Sequence, residues 1–75
     1  MNQEALNQKI MAAHDVKDSA LLGVLYLKAG KVFISDGDID HGCFLLTAAY
    51  VFSLDAGITQ AIEAKEILIN YGREE

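Results

Sequence analysis

The sequence predicts an all-α protein, a small antiparallel bundle of about four helices joined as hairpins, in a single domain over residues 1–75. Apolar residues recur every three or four positions along most of the 75 residues, and no proline interrupts them. Short turn signals (HDVKD, SDGD and LDAG) separate four such segments. The segment KVFIS, residues 31–35, has β-branched character, but it continues a helical pattern and lacks a partner strand.

The first two helices are predicted at about residues 3–14 and 19–35. Asn2 is a suitable N-cap for the first, and Asp18 for the second, because their side chains can accept hydrogen bonds from free backbone N–H groups. The spacing predicts that Leu6, Ile10 and the Met11/Ala13 side of the first helix are apolar contacts. The second helix has one predicted buried stripe, formed by Leu21, Leu22, Leu25, Ala29, Val32 and Phe33.

The third and fourth helices are predicted at about residues 39–54 and 58–71. The third is apolar almost all the way round from Cys43 to Phe52, which is typical of a helix in the middle of a bundle. Gly57 and Gly72 are suited to the positions just past the two helix ends. We predict that Phe33, Phe44 and Phe52 lie in the core, and that the fourth helix turns inward Ile58, Ala61, Ile62, Ala64, Leu68 and Ile69.

The stretch LLGVLY, residues 21–26, carries a resemblance to a known family. Its Leu22, Gly23 and Tyr26 resemble the core of the first helix of a tetratricopeptide repeat, or of the related Sel1-like repeat. The resemblance implies that the small glycine lets the second helix approach closely. It implies also that the leucine and the tyrosine fill the groove between the two helices.

The stretch DGDIDHGCFLLTAAYVFSLDAG, residues 36–57, resembles the second helix of that repeat, with Gly42 and Ala49 at the small positions. The chain is about seven residues longer between Gly23 and Gly37 than a standard repeat, which adds roughly two helical turns. The proline that usually follows the second helix is absent. An unrelated four-helix bundle is the alternative. One repeat cannot bury its faces alone. We therefore expect either that the first and fourth helices cap the repeat or that several copies of the chain assemble.

Charge and composition limit the function classes. Six Lys and Arg against eleven Asp and Glu give a net charge of −5, which disfavours nucleic acid and anionic membrane surfaces as partners. The longest apolar run, CFLLTAAYVF, has about half the ~20 residues needed to span a bilayer. A single cysteine and an amino terminus without a signal-peptide pattern predict a soluble, cytoplasmic protein. An apolar content of 52% suggests that another chain covers part of the surface.

The stretch ISDGDIDHG, residues 34–42, begins like a calcium-binding EF-hand loop, with Asp36, Asp38 and Asp40 at alternate positions. However, His41 and Thr47 stand where that loop needs a glycine and a bidentate glutamate. We therefore predict no metal site and no cofactor. The acids are predicted instead to end the second helix and to cap and open the third.

No catalytic set is recognisable, and we predict that the protein is not an enzyme. His41 and Cys43 are two residues apart, so on a helix they point away from each other. A Cys–His pair would require His14 to meet Cys43 in space, and nothing in the spacing supports that. We expect Cys43 to be a small buried apolar residue.

Three tyrosines on three helices, Tyr26, Tyr50 and Tyr71, are the candidate binding residues. They could share one groove, or each could be a packing residue with its hydroxyl at the rim. We predict a non-catalytic interaction module that binds a protein or peptide through a groove of the second and fourth helices. The negative charge favours a basic partner. The alternative is a constitutive homo-oligomer with a structural or regulatory role.

Overall fold

The computed structural model describes residues 3–73 and confirms the predicted all-α architecture. Within those residues the chain forms no strand. The four helices are α1 (Gln3–Asp15), α2 (Ser19–Ser35), α3 (Ile39–Ala56) and α4 (Gln60–Asn70). Turns of three residues reverse the chain between them, so each helix packs antiparallel against the one before, and α2 also contacts α4.

The two predicted aspartate caps are confirmed, whereas the predicted cap Asn2 lies outside the described residues. Asp18 accepts a hydrogen bond from the backbone N of Leu21 at 3.0 Å, and Asp38 accepts one from the backbone N of His41 at 3.2 Å. Each bond satisfies an N–H group that the first turn of a helix leaves without a partner. Helices α2 and α3 therefore start where the sequence places them.

Two helix ends differ from the sequence prediction by two residues, and the last residues of α1 and α4 differ by one. Helix α3 continues to Ala56, because the left-handed residue that ends it is Gly57, with φ +70°. Helix α4 begins only at Gln60. The N–H groups of Ala61 and Ile62 bond to the carbonyls three residues earlier, in a tight turn that Ile58 opens.

Helices α2 and α3 approach each other most closely at glycines. A Cβ atom placed on Gly23 would lie 2.3 Å from the hydroxyl oxygen of Ser53. Gly30 and Gly42 face each other, since a Cβ on Gly30 would lie 3.0 Å from the Gly42 carbonyl oxygen and a Cβ on Gly42 2.9 Å from that of Gly30. A side chain at Gly30 or Gly42 would push the two backbones apart, whereas a side chain at Gly23 would first displace the Ser53 hydroxyl.

The core forms two clusters on either side of α2. Cluster 1 joins α1 to α2 and consists of Leu6, Ile10, Ala13, Leu22, Leu25 and Ala29. Cluster 2 joins α2, α3 and α4 and consists of Leu27, Cys43, Leu46, Ala49, Ala64 and Leu68. The half-buried ring of Tyr26 packs against both, so it links the two halves of the core.

Several residues predicted to be buried are exposed. Phe44 is 70% exposed and Ile62 is 62% exposed; Met11, Leu21 and Ile69 are exposed as well, while Phe33 and Phe52 are half-buried. Phe44 precedes the fully buried Leu46 by two residues, and Ile62 precedes the fully buried Ala64 by two. Residues two apart point to opposite sides of a helix, so one of each pair faces outward. The predicted apolar stripes were too wide.

The contact between Gly23 and Ser53 gives a first prediction. We expect Gly23→Ala to lower the free energy of unfolding by about 1–3 kcal/mol, because its methyl group would collide with the Ser53 hydroxyl. This loss opposes alanine's intrinsic helix preference of about 1 kcal/mol over glycine. Urea denaturation measures the difference.

The double variant is the control. The Ser53 hydroxyl is fully buried and has no hydrogen-bond partner among residues 3–73. We therefore expect Ser53→Ala to be neutral or stabilising alone and to reduce the cost of Gly23→Ala. Equal stabilities of the Gly23→Ala variant and the wild type would contradict the close approach.

Candidate binding surface

An open groove lies between α2 and α4, and we call it the α2–α4 groove. Its volume is about 300 Å³. It is lined by Val24, Leu27, Lys28, Lys31 and Val32 of α2 and by Gln60 and Glu63 of α4. Along α2 the two lysines stand between apolar residues, and Gln60 and Glu63 add polar groups from α4. The groove can therefore offer apolar contacts together with polar groups at its rim.

An ion pair spans the α2–α4 groove. The Lys31 Nζ atom lies 2.6 Å from the Glu63 Oε2 atom, and both side chains are about half exposed, at 52% and 48%. Within residues 3–73, Lys28 has no acidic partner, although it lines the same groove. The local charge of the groove is therefore +1, opposite in sign to the net charge of the chain.

A second concave region lies among α1, α2 and α3, and we call it the α1–α2–α3 cavity. Its volume is about 280 Å³. Most of its lining is apolar, from Leu6, Ile10, Tyr26, Ala29, Val32, Phe33 and Leu45, and Asn7 and His41 add polar groups. Val32 lines the α2–α4 groove as well, so the two regions adjoin on α2.

Aromatic rings stand beside this cavity. Tyr26 and Phe52 are stacked, with centroids 5.7 Å apart and planes 6° apart, and the ring of His14 meets both edge-on. The His14 Nε2 atom lies 2.9 Å from the Tyr26 hydroxyl oxygen, within hydrogen-bonding distance. The ring centroids of Phe33 and His41 are 4.0 Å apart. These contacts fix the Tyr26 and Phe33 rings that line the cavity.

The three tyrosines occupy different surroundings. Tyr26 lines the α1–α2–α3 cavity, Tyr50 is half-buried against cluster 2, and Tyr71 is 42% exposed at the end of α4. None of the three lines the α2–α4 groove. A binding role for the tyrosines stays a prediction. The sequence prediction named none of the residues that line the groove as binding residues. The charged ones, Lys28, Lys31 and Glu63, lie on helix faces where a solvated surface also carries charges.

Asp36, Asp38 and Asp40 lie where α2 ends and α3 begins, and we call this turn the acidic corner. Asp36 follows α2, Asp38 caps α3, and the Asp40 carboxylate accepts a hydrogen bond from Arg73 at 2.5 Å. This hydrogen bond and the charge of Asp40 raise the pKa of the Arg73 guanidinium, so Arg73 stays protonated at any pH at which proteins fold. Over residues 3–73, no three His, Cys, Asp or Glu side chains are placed to hold a metal ion together.

Cys43 and His14 pack in different surroundings. Cys43 is 3% exposed and belongs to cluster 2, whereas His14 packs against Tyr26 and Phe52 beside cluster 1. The prediction that Cys43 is a buried apolar residue is confirmed.

Comparison with known proteins adds no relative. No family model matches the chain, and no curated protein or solved structure is significantly similar to it. The resemblance to the tetratricopeptide repeat thus depends on residues 21–57 alone. None of the helices in the described part of the chain is both long and apolar enough to cross a membrane.

The burial of Cys43 gives a second prediction. We expect a thiol reagent such as Ellman's reagent to label native protein at least about a hundredfold more slowly than urea-unfolded protein, because the thiol reacts only when the core opens. Absorbance of the released thiolate measures the rate. Fast labelling of the native protein, at the unfolded rate, would contradict the placement of Cys43 in cluster 2.

Proposed function

We propose that the protein is a non-catalytic interaction module that binds a segment of a protein or peptide in the α2–α4 groove. The observation that carries this proposal is the groove itself, an open concave region of about 300 Å³ lined by both apolar and charged side chains. Grooves between helices bind peptides by holding apolar side chains on the floor and selecting charge at the rim.

The arrangement of the groove supports such binding in two ways. Val24 is 37% exposed and Leu27 is buried, so the floor offers one accessible apolar side chain beside a packed one. Lys31 and Glu63 form an ion pair at the rim, so the rim offers both a donor and an acceptor to polar groups of the partner.

The net charge of the chain acts on a partner at long range, and the charge of Lys28 acts on it at contact. The net charge of −5 favours a basic partner during approach. At contact, Lys28 offers an additional donor to an acidic group of the partner. We therefore propose a partner segment of mixed charge and net positive sign.

A tetratricopeptide-like hairpin of α2 and α3 is part of this proposal. It is supported by the order of the residues in LLGVLY and by the position of Gly23 directly against Ser53 of α3. In such a hairpin the close approach of two helices leaves one face of the first helix free for a ligand.

Peptide selection tests the proposed groove. Peptides selected from a random library on the immobilised protein are expected to lose affinity about tenfold or more for Val24→Glu, because an acid replaces an apolar contact. Val24→Glu lies on an exposed helix face and can pair with Lys28 one turn later, so the fold is retained.

The matched control is Ile62→Glu, the same kind of change on a residue of α4 that is 62% exposed and does not line the groove. Fluorescence anisotropy of the labelled peptides measures both affinities. Peptides that bind Val24→Glu as tightly as the wild type would contradict the proposal.

A homo-oligomer is the second candidate, favoured by the outward face of α3. Phe44, Val51 and Leu54 are 70%, 56% and 56% exposed on that helix. Val51 follows Phe44 by seven residues, and Leu54 follows Val51 by three, so all three lie on one side of the helix. Exposed apolar groups of this kind are typical of contacts between chains.

Analytical ultracentrifugation tests the second candidate. A homo-oligomer formed through this face is expected to dissociate on dilution and to become monomeric in Phe44→Ser, because a large apolar contact is lost. Met11→Ser, at a residue of α1 with 66% exposure, should leave the mass unchanged. A wild-type protein that is monomeric at every concentration would exclude this candidate.

A further inference from the structure

We propose that the partner segment bound in the α2–α4 groove crosses α2 at Val32 and inserts one apolar side chain into the α1–α2–α3 cavity. A Lys or Arg next to that side chain would then face Asp38. This inference rests on the proposed function, and it names the partner class as a basic segment with an apolar anchor.

The two regions are continuous on the surface of α2. Val32 lines both of them, so a chain that leaves the groove over Val32 enters the cavity directly. Helix α2 has 17 residues and α1 has 13, and Leu6 of α1 packs in the same cluster as Ala29. The last turns of α2 therefore lie near the beginning of α1. Val32 and Phe33, in these turns, are only half-buried.

The size and lining of the cavity fit a side chain of the partner. Its volume of about 280 Å³ is just below the range of roughly 300–1,000 Å³ for small-molecule pockets. The small residue Ala29 lies between larger ones, and the rings of Tyr26 and Phe33 line the space. Such a cavity favours a single aliphatic or aromatic side chain, whose transfer from water stabilises the complex.

The charge beside the cavity is negative. His41 lines the cavity, and its Nδ1 atom lies 3.6 Å from the Asp38 Oδ2 atom. The backbone N of Asp38 donates to the carbonyl of Phe33, another lining residue, at 2.9 Å. The Asp38 side chain is 52% exposed, whereas the basic residue of this corner, Arg73, is engaged by Asp40. The complementary group on a partner is therefore a cation.

Three short blocked peptides, made of Gly and Ser around a central pair, test this inference by nuclear magnetic resonance. The central pair is Leu-Arg in the first, Leu-Glu in the second and Ala-Arg in the third. We expect the first to bind most tightly and to shift the resonances of Phe33, His41 and Leu45. Asn7→Phe, an exposed position that would fill the edge of the cavity, should weaken it about tenfold.

Asp38→Asn isolates the charge, because asparagine is as good a helix cap as aspartate. We expect it to weaken binding of the Leu-Arg peptide roughly two- to fivefold, the range of one exposed ion pair. Asp18→Asn is the matched control, since Asp18 caps α2 at its opposite end in the same way. It should leave the affinity unchanged.

The outcomes separate this inference from the proposed function. Shifts confined to the α2–α4 groove, at Val24 and Gln60, would overturn the cavity anchor and leave the groove proposal standing. Equal affinity for the Leu-Arg and Leu-Glu peptides would overturn the preference for a cation. The absence of any shift with all three peptides would overturn the inference, whereas the groove proposal is decided separately by the selected peptides and Val24→Glu.

Discussion

The contact between α2 and α3 at Gly23, Gly30 and Gly42 is the constraint on which the rest of the structure depends. A glycine in a helix interior costs about 1 kcal/mol relative to alanine, so three of them in two helices need a compensating gain. That gain is the packing of one backbone against the other, with the Leu46 side chain seated over Gly30. Ser53 occupies the space beside Gly23, and its hydroxyl has no hydrogen-bond partner in the part of the chain that the structure describes.

Both concave regions follow from this pairing. Because α3 takes one side of α2 along its length, α1 and α4 pack on the remaining sides, and each covers only part of it. The strip of α2 beside α4 that carries Val24 and Lys28 stays open as the α2–α4 groove. The turns at the other end, around Val32 and Phe33, border the α1–α2–α3 cavity. A shift of α3 relative to α2 would therefore change both regions.

Local signals in the sequence predicted the helices well and their surroundings less well. Asp18, Asp38 and Gly57 act within one turn of the chain, so their roles as caps could be inferred from neighbouring residues alone. Burial depends on how many other helices surround a residue. Phe44 and Ile62 are apolar at helical spacing, yet no described helix covers them. The spacing of apolar residues shows which side of a helix faces the core, but it does not show how many residues on that side are buried.

The candidate site was predictable only in outline. The sequence indicated a groove between the second and fourth helices, but the residues that line it could not be inferred from the tyrosines. Lys31 and Glu63 are 32 positions apart, and their ion pair exists only because α4 folds back beside α2. The α1–α2–α3 cavity likewise requires the relative lengths and offset of α1 and α2, which no single motif encodes.

The most direct test of the glycine contact is the nuclear Overhauser effect between the Hα protons of Gly30 and Gly42 in the protein in solution. Since a Cβ on either residue would lie within 3.0 Å of the other's carbonyl oxygen, we predict a strong cross-peak between these protons. Its absence in a folded, helical sample would show that α2 and α3 are held apart by side chains and would contradict the glycine-based packing of the two helices.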